Sequence, residues 1–424
     1  MTTKALYQIY KQHPKITTDS RKIEKDGIFF ALKGPSFNGN TFASQALEKG
    51  AAYAVIDEKK YQQDDRFILV NDVLESLQRL GTHHRLQSNA TVIALTGSNG
   101  KTTTKELIYA VLSQKYRTIA TTGNLNNHIG VPLSLLKIQE DTEMAVIEMG
   151  ANHQKEIEFL SGLALPDHGY ITNFGKAHLE GFGGVEGVIK GKSELYQHLM
   201  SRNAHIFWNA DDPIQAEKLR DYPNKTGFSQ DDTADQQIQL TGAKPYVQLR
   251  TMDTEIHTHL PGAYNFANTA IAVLMGLYFK VDLSDIKKGI EAYSPQNNRS
   301  QILEKKGLKI YLDAYNANPT SMKAALEAFD QTPGEYKTII LGDMFELGES
   351  ATEEHQFIAH LVAKMSFSLR YFVGENFHQS EVKGKKFRTF DEFSAFLEQN
   401  PLEKGEVLIK GSRGMALERI LDFL

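Results

Sequence analysis

Residues 91–112 read TVIALTGSNGKTTTKELIYAVL. A short apolar, β-branched run turns through Gly97-Ser98-Asn99-Gly100-Lys101-Thr102 and continues with Leu107, Ile108, Val111 and Leu112 spaced along one helical face. The pattern predicts a strand, a phosphate loop and a helix. Glycines let backbone N–H groups curl around phosphate oxygens, the helix N-terminus adds a positive dipole end, Lys101 reaches the β/γ-phosphates and Thr102 ligates Mg²⁺. The common spacing of such loops wants a glycine where Leu95 stands, so this is the shorter form G-x-x-G-K-T. A glycine-rich turn before an ordinary helix explains the glycines, but not Gly-Lys-Thr at the helix start. A nucleoside triphosphate site is expected.

The rest of the 424 residues is read outward from that stretch. An apolar fraction of 41% and a charged fraction of 23% are ordinary for a globular protein, and the length is enough for about three domains. A net charge of −5 gives no global basic field, so nucleic acid is not an expected partner. With no cysteine, disulfides, thiolate metal sites and cysteine nucleophiles are excluded. Residues 1–12 lack the apolar core of a signal peptide, and the longest apolar run, 270–279, is far short of the ~20 residues that span a bilayer. A cytoplasmic protein without membrane insertion is expected.

Three α/β domains are expected. Residues 1–88 form a small α/β unit with strands at 28–32 and 52–56 and helices at 42–49 and 73–87. Residues 89–298 alternate strand and helix, with strands at 117–121, 144–148 and 169–172 and a helix begun by Pro132. That rhythm implies a mostly parallel sheet with ligands at the carboxyl ends of its strands. The stretch 226–260 reads as an antiparallel annex in which His257 and His259 face solvent. From 299 to 424 the βα rhythm restarts in a Rossmann-like pattern, with Pro319 in a first helical turn and Asn318 as its cap.

Several residues at strand ends carry chemistry. Glu148 closes the run 145–147 beside the phosphate loop, where a nucleotide enzyme holds Mg²⁺, although a lone acid also caps helices. His178 follows the next strand and is either a second metal contact or structural. Lys192 falls on the stripe of Val185, Ile189, Leu195, Tyr196 and Leu199, so its ammonium points inward. It is either a snorkelling lysine or an amine of lowered pKa that reacts with CO₂ to give a carbamate. Residues 121–127, TTGNLNN, offer neutral hydrogen-bonding groups at a strand mouth or form an Asx turn. Arg299, at the expected boundary with the third domain, reaches a γ-phosphate on domain closure.

Taken together, TGSNGKTTTKE (96–106), TTGNLNNHIGVPLSLL (121–136), EMGANH (148–153), NFGKAHLEGFGG (173–184), KGKSEL (190–195), LDAYNANPTSM (312–322), GDMFELG (342–348) and KGSRGM (410–415) resemble the ATP-dependent Mur ligases over essentially the whole chain. The resemblance implies that Gly97, Ser98, Asn99, Gly100, Lys101, Thr102 and Thr103 bind ATP, with Asn265, Asn268, Arg299, Asp313, Tyr315 and Asn316 around it from both sides of a closing cleft. It implies two Mg²⁺ sites served by Thr102, Glu148, His178 and a carbamylated Lys192, with Lys101, Lys192, His178 and Glu148 catalytic. Ser20, Arg21, Lys33 and Gly34 resemble a UDP-sugar site, and Thr122, Asn124, Asn126 and Asn127 are carried over as substrate contacts. Segments 312–322 and 342–348 look like the branch that joins D-alanyl-D-alanine to UDP-N-acetylmuramoyl-tripeptide, as a monomer. Two positions depart from the family: Tyr264 stands where histidine is frequent, and Leu312 replaces the first of a frequent Asp-Asp pair. The rival readings are the ligase that adds the third amino acid, whose D-N-P-R motif is missing, a folylpolyglutamate-type ligase, and a nucleotide switch.

Overall fold

The computed structural model describes residues 1–296 and 298–424, and the chain divides into two compact units. The first comprises residues 1–95, 116–150 and 157–169. It opens with the helix Thr3–Gln12, capped by Thr2, which the sequence reading did not anticipate. A parallel four-stranded sheet follows in the order Ile16–Thr17, Ile28–Phe30, Tyr53–Ile56, Phe67–Leu69. Its faces are covered by two apolar clusters, one around Leu6, Phe30 and Leu77 and the other around Phe29, Ala46 and Phe67. The helix Val73–Gln87 starts where Asp72 accepts a hydrogen bond from Glu75 N and runs over the span expected of it.

In the same unit the strand Thr91–Thr96 pairs in parallel with Met144–Glu148, Leu95 opposite Glu148, and Thr118–Ala120 pairs with the other edge of Met144–Glu148. Val92, Ile93, Ala94 and Leu95 are all buried, as a parallel strand covered on both faces requires. The helix Gly130–Leu135 begins two residues before Pro132, because Asn127 Oδ1 accepts hydrogen bonds from Ile129 N and Gly130 N and sets the start itself.

The second unit comprises residues 96–115, 151–156 and 170–424. The phosphate-loop helix Lys101–Leu112 packs against Phe266–Tyr278, a helix buried almost all round. Strands His205–Asn209, Lys225–Ser229 and Gln236–Gln237 are parallel, so the antiparallel annex starts later than the sequence suggested. It is the sheet Gln239–Gly242, Tyr246–Thr251, Thr254–Pro261, with His257 and His259 on its exposed face as expected. The helix Val185–Ser201 buries Val188, Lys192, Leu195, Tyr196 and Leu199, whereas Val185, placed on that stripe from spacing, is exposed at the first turn.

The last part of this unit is a six-stranded mixed sheet in the order Gln301–Lys305, Leu308–Asp313, Gly405–Lys410, Lys337–Gly342, Leu369–Val373, Lys385–Phe387. The first pair is antiparallel and the others parallel. The edge strand Gln301–Lys305 was not foreseen, because its polar alternation reads as a loop. The helix Pro319–Asp330 has Asn318 as its cap, with a reciprocal bond from Ser321. The fold is thus mixed α/β, with parallel sheets centrally and a mixed sheet at the C-terminal end.

Candidate active site

The phosphate loop holds a shape that only glycine tolerates at two points. Gly97 and Gly100 have φ of +144° and +79°. A Cβ on Gly97 would lie 2.0 Å from Thr172 Oγ1, and one on Gly100 2.5 Å from Asn268 Oδ1. The side chains that leave no room also brace the loop. Thr172 Oγ1 donates to Asn99 O (2.6 Å), Ser98 N to Asn173 O (3.0 Å), Asn99 N to Asn173 Oδ1 (3.1 Å) and Ser98 Oγ to Gly175 O (2.7 Å). Gly100 is the N-cap of Lys101–Leu112 and has no side chain with which to satisfy the helix's leading N–H groups. Thr102 and Thr103 lie in that first turn, and Lys101 Nζ folds back onto Gly97 O (2.7 Å) and Ser98 O (3.2 Å). A cradle of backbone donors with a cation over it fits a polyphosphate.

Asn265 and Asn268 form a relay beneath this loop. Asn265 Nδ2 donates to Pro261 O (2.8 Å), Asn268 Nδ2 to Asn265 Oδ1 (3.0 Å), and Thr104 Oγ1 to Asn268 Oδ1 (3.0 Å). Expected around ATP, they buttress the loop helix from the neighbouring helix.

Lys192 is fully buried. Its Nζ donates to Ala151 O (3.1 Å) and lies 4.8 Å from the Phe182 ring centroid. Burial, and then the charge of Lys101, hold its ammonium well below the ordinary lysine range, against the opposite pull of Glu156 and Glu194. His178 has φ of +54°, and its buried Nδ1 lies 2.5 Å from Glu346 Oε2 without the alignment of a hydrogen bond. That contact holds the Glu346 carboxyl below its usual value despite partial burial. In the first unit, Glu148 is buried, accepts Asn126 Nδ2 at Oε1 (2.8 Å), and its N donates to Thr121 Oγ1 (3.0 Å).

Among the described residues no three His, Cys, Asp or Glu side chains converge as a ready metal cluster. Taken singly, the Glu148 carboxylate in the first unit and the Thr102 hydroxyl in the second are oxygen donors of the hard type that Mg²⁺ takes.

The segment after the strand Leu308–Asp313 meets the phosphate loop through Asn318, and two C-terminal helices meet Lys176. Asn318 Nδ2 donates to Asn99 Oδ1 (2.7 Å), Lys176 N to Thr320 Oγ1 (2.9 Å), and Lys176 Nζ contacts Glu354 Oε1 (2.5 Å). Tyr315 lies under Arg299, whose Cζ is 3.5 Å from the ring centroid, with Arg413 at 5.4 Å. Asp313 takes Lys410 Nζ at 2.5 Å and Ser300 N at 3.1 Å. Asn316 bonds locally, its Oδ1 accepting Ala317 N (3.0 Å). Arg299 is therefore seated on Tyr315. Thr172, Asn173, Asn318 and Glu346 escaped assignment from sequence. The last three stand inside the quoted motifs, which was the available signal.

The sugar-site candidates of the first unit are organised more locally. Arg21 forks onto Asp19 (2.9 Å), whose carboxyl is held down to about 2 by that exposed partner. Ser20 O accepts Lys49 Nζ (2.9 Å), Lys33 pairs with the buried Asp57 (3.1 Å), and Gly34 lies against the Phe37 ring. Thr122 Oγ1 accepts Lys137 Nζ (3.0 Å), Asn124 O accepts Asn126 N (2.8 Å), and Asn127 Oδ1 accepts Ile129 N and Gly130 N ahead of the helix. For Asn127 the Asx turn accounts for the side-chain oxygen.

Family models match three stretches: "Mur ligase family, catalytic domain" at residues 14–92, "Mur ligase middle domain" at 95–276 and "Mur ligase, glutamate ligase domain" at 298–413. The UDP-N-acetylmuramoyl-tripeptide--D-alanyl-D-alanine ligase of Bacillus subtilis is 34% identical, over 96% of this chain and 92% of that protein. The Escherichia coli protein of the same name is 32% identical, over 96% and 93%. Among solved structures, MurF from Acinetobacter baumannii superposes with a TM-score of 0.86 at 32% identity, covering 99% of this chain and 98% of that one. MurF ligase from Thermotoga maritima in complex with ADP gives 0.83 at 28% identity, covering 97% of each chain.

Proposed function

The chain belongs to the Mur ligase family, and from that premise we propose that it joins D-alanyl-D-alanine to UDP-N-acetylmuramoyl-tripeptide at the expense of ATP, a step in peptidoglycan precursor synthesis. The observation that carries the reading is the link between the phosphate loop and the C-terminal segment 312–322: Asn318 Nδ2 on Asn99 Oδ1 at 2.7 Å. A nucleotide switch has no use for such a segment, whereas a ligase must bring a second substrate to a phosphorylated first one. The domain assignment we adopt is 1–88 for the UDP-sugar, 89–298 for ATP and 299–424 for the dipeptide and part of ATP, in a cytoplasmic monomer.

In the proposed reaction the tripeptide's terminal carboxylate oxygen bonds to the γ-phosphorus, and the bond to the β-bridging oxygen breaks to release ADP. The dipeptide's neutral amine then attacks the acyl carbon, phosphate departs, and the amine loses a proton to leave an amide. Lys101 exchanges its loop carbonyls for β/γ-phosphate oxygens, and the loop N–H groups hold the chain of phosphates in line. Thr102, Glu148, His178 and carbamylated Lys192 would hold Mg²⁺, which supplies charge neutralisation between carboxylate and phosphate. Arg299 adds a second cation. Ser20, Arg21, Lys33 and Gly34, with Thr122, Asn124 and Asn126, serve the UDP-sugar and peptide. Closure of the C-terminal segment keeps water from the acyl phosphate.

The experiment is phosphate release from ATP and Mg²⁺ with the UDP-muramoyl tripeptide, with and without D-alanyl-D-alanine, read together with product mass. Release that needs both substrates, with the UDP-pentapeptide formed, is the expected result. Release indifferent to the dipeptide and without that product overturns the reading.

A further inference from the structure

The strands Leu308–Asp313, Gly405–Lys410 and Lys337–Gly342 are neighbours in the C-terminal sheet, and their carboxyl ends are level: Lys410 stands opposite Asp313 on one side and Leu341 on the other. Ser412, buried just past the central strand, ties the three ends together. Its Oγ donates to Ala317 O (3.3 Å) and accepts Phe345 N (2.8 Å), and its N donates to Asp343 O (3.0 Å). The chain then turns through Arg413–Met415, where a Cβ on Gly414 would lie 2.8 Å from Cε2 of the exposed Phe345 ring. Arg413 is thus carried on a fixed base at the end of a sheet where ligands gather, and the reaction described above gives it no part.

Its guanidinium is only partly engaged. Nη1 donates to Glu418 Oε1 (3.1 Å), and the side chain stays 60% exposed. An arginine and a carboxylate can meet by two parallel bonds; here they meet by one, and Glu418 Oε2 is buried with no hydrogen-bond partner among the described residues. Arg413 Cζ lies 5.4 Å from the Tyr315 ring centroid, and Arg299 Cζ lies 3.5 Å from the same centroid. Two guanidiniums gather at one ring, and among the described residues the carboxylate paired with them is that of Glu418, while Lys410 is matched by Asp313. The reaction must hold two anions, the transferred phosphate and the carboxylate of the acceptor, and Arg299 is given to the first. We propose that Arg413 binds the free carboxylate of the incoming dipeptide through the unused edge of its guanidinium, with the Tyr315 ring beside it. This rests on the reading of the chain as a D-alanyl-D-alanine ligase. It adds that the acceptor is selected at its charged end, away from the amine that reacts.

The test uses the full chain with ATP, Mg²⁺ and the UDP-muramoyl tripeptide, and compares D-alanyl-D-alanine with its C-terminal amide, which lacks the charge, as acceptor. Product formation gives kcat/KM for each acceptor in the wild type, Arg413→Gln and Arg413→Lys, and KM for ATP is read alongside. The acid-to-amide ratio does not depend on the fraction of each variant that is folded. We expect the wild type to favour the acid by on the order of a hundredfold. Arg413→Gln should remove most of that ratio through a raised KM for the dipeptide, with KM for ATP unchanged. Arg413→Lys, which keeps the charge without the fork, should retain an intermediate preference. A wild type that uses acid and amide alike overturns the proposal and leaves the ligase reading standing. So does an Arg413→Gln enzyme with the wild-type preference; if its KM for ATP rises instead, the oxyanion at Arg413 is a nucleotide phosphate. A wild type that forms no product with either acceptor removes the ligase reading, and this proposal with it.

Discussion

The phosphate loop and the sugar-site loops of the first unit are both rich in polar residues, yet they are held in opposite ways. Around residues 97–104 the partners come from Thr172, Asn173, Gly175, Asn268 and Asn318, distant in sequence and mostly buried. Around residues 19–21 the exposed guanidinium of Arg21 pairs with Asp19, two residues away. On the proposed function, the difference separates a loop braced before its ligand arrives from one whose charged groups are paired locally. Preorganisation is where a triphosphate enzyme gains most, because charge develops there during the reaction. Recognition of a nucleotide sugar gains less from it.

The largest test of that contrast is Lys101→Ala. It removes the ammonium that bridges Gly97 O and Ser98 O, and kcat/KM should fall by about a thousandfold or more, measured as phosphate release. Next comes Lys192→Ala, expected to cost on the order of a hundredfold in kcat, with partial recovery on adding a small carboxylate such as acetate. Because burial lowers the pKa of this lysine, its neutral form, and with it labelling by ¹³C-bicarbonate, should persist below the ordinary lysine range and fade only as pH falls through the lowered value. A wild-type rate in Lys192→Ala would end the carbamate reading. Gly100→Ala sets a Cβ 2.5 Å from Asn268 Oδ1 at φ +79°, and the left-handed penalty of about 1–2 kcal/mol alone predicts a roughly tenfold loss of ATP affinity by titration calorimetry. Arg21→Ala is the smallest: KM for the UDP-linked substrate should rise by about fivefold with kcat and Tm unchanged, since the pair it breaks is exposed. A drop in Tm there would show the sugar loop to be as prebuilt as the phosphate loop and remove the contrast.

The same contrast explains what could be read from the chain unaided. Gly97 to Thr102 was legible because its chemistry is local: loop, helix start and lysine lie within six residues. The inward face of Lys192 was legible from helical spacing, although Val185, first on the same stripe, is exposed because a helix end need not be covered. The bracing of Asn99 by Asn318 was not legible, since the two stand 219 residues apart and no periodicity relates them. Nor was the edge strand Gln301–Lys305, half-buried and polar, whose pairing with Leu308–Asp313 decides its form. Glu346 lay in a quoted motif, but its place beside His178 depends on Asp343, His355 and Ser412, which anchor that segment.

Asn318 carries two duties on the two ends of one amide. Its oxygen accepts Ser321 N at 2.9 Å and starts the helix Pro319–Asp330; its nitrogen donates to Asn99 at 2.7 Å. Aspartate and serine are caps of similar quality, but neither combines the cap with an N–H to give away, and aspartate would set a negative charge against the amide oxygen of Asn99. A change of one atom, nitrogen to oxygen, would thus leave a helix that still folds and a phosphate loop that has lost one of its distant partners. At this position heredity is constrained by the far side of a side chain whose near side alone would tolerate several residues.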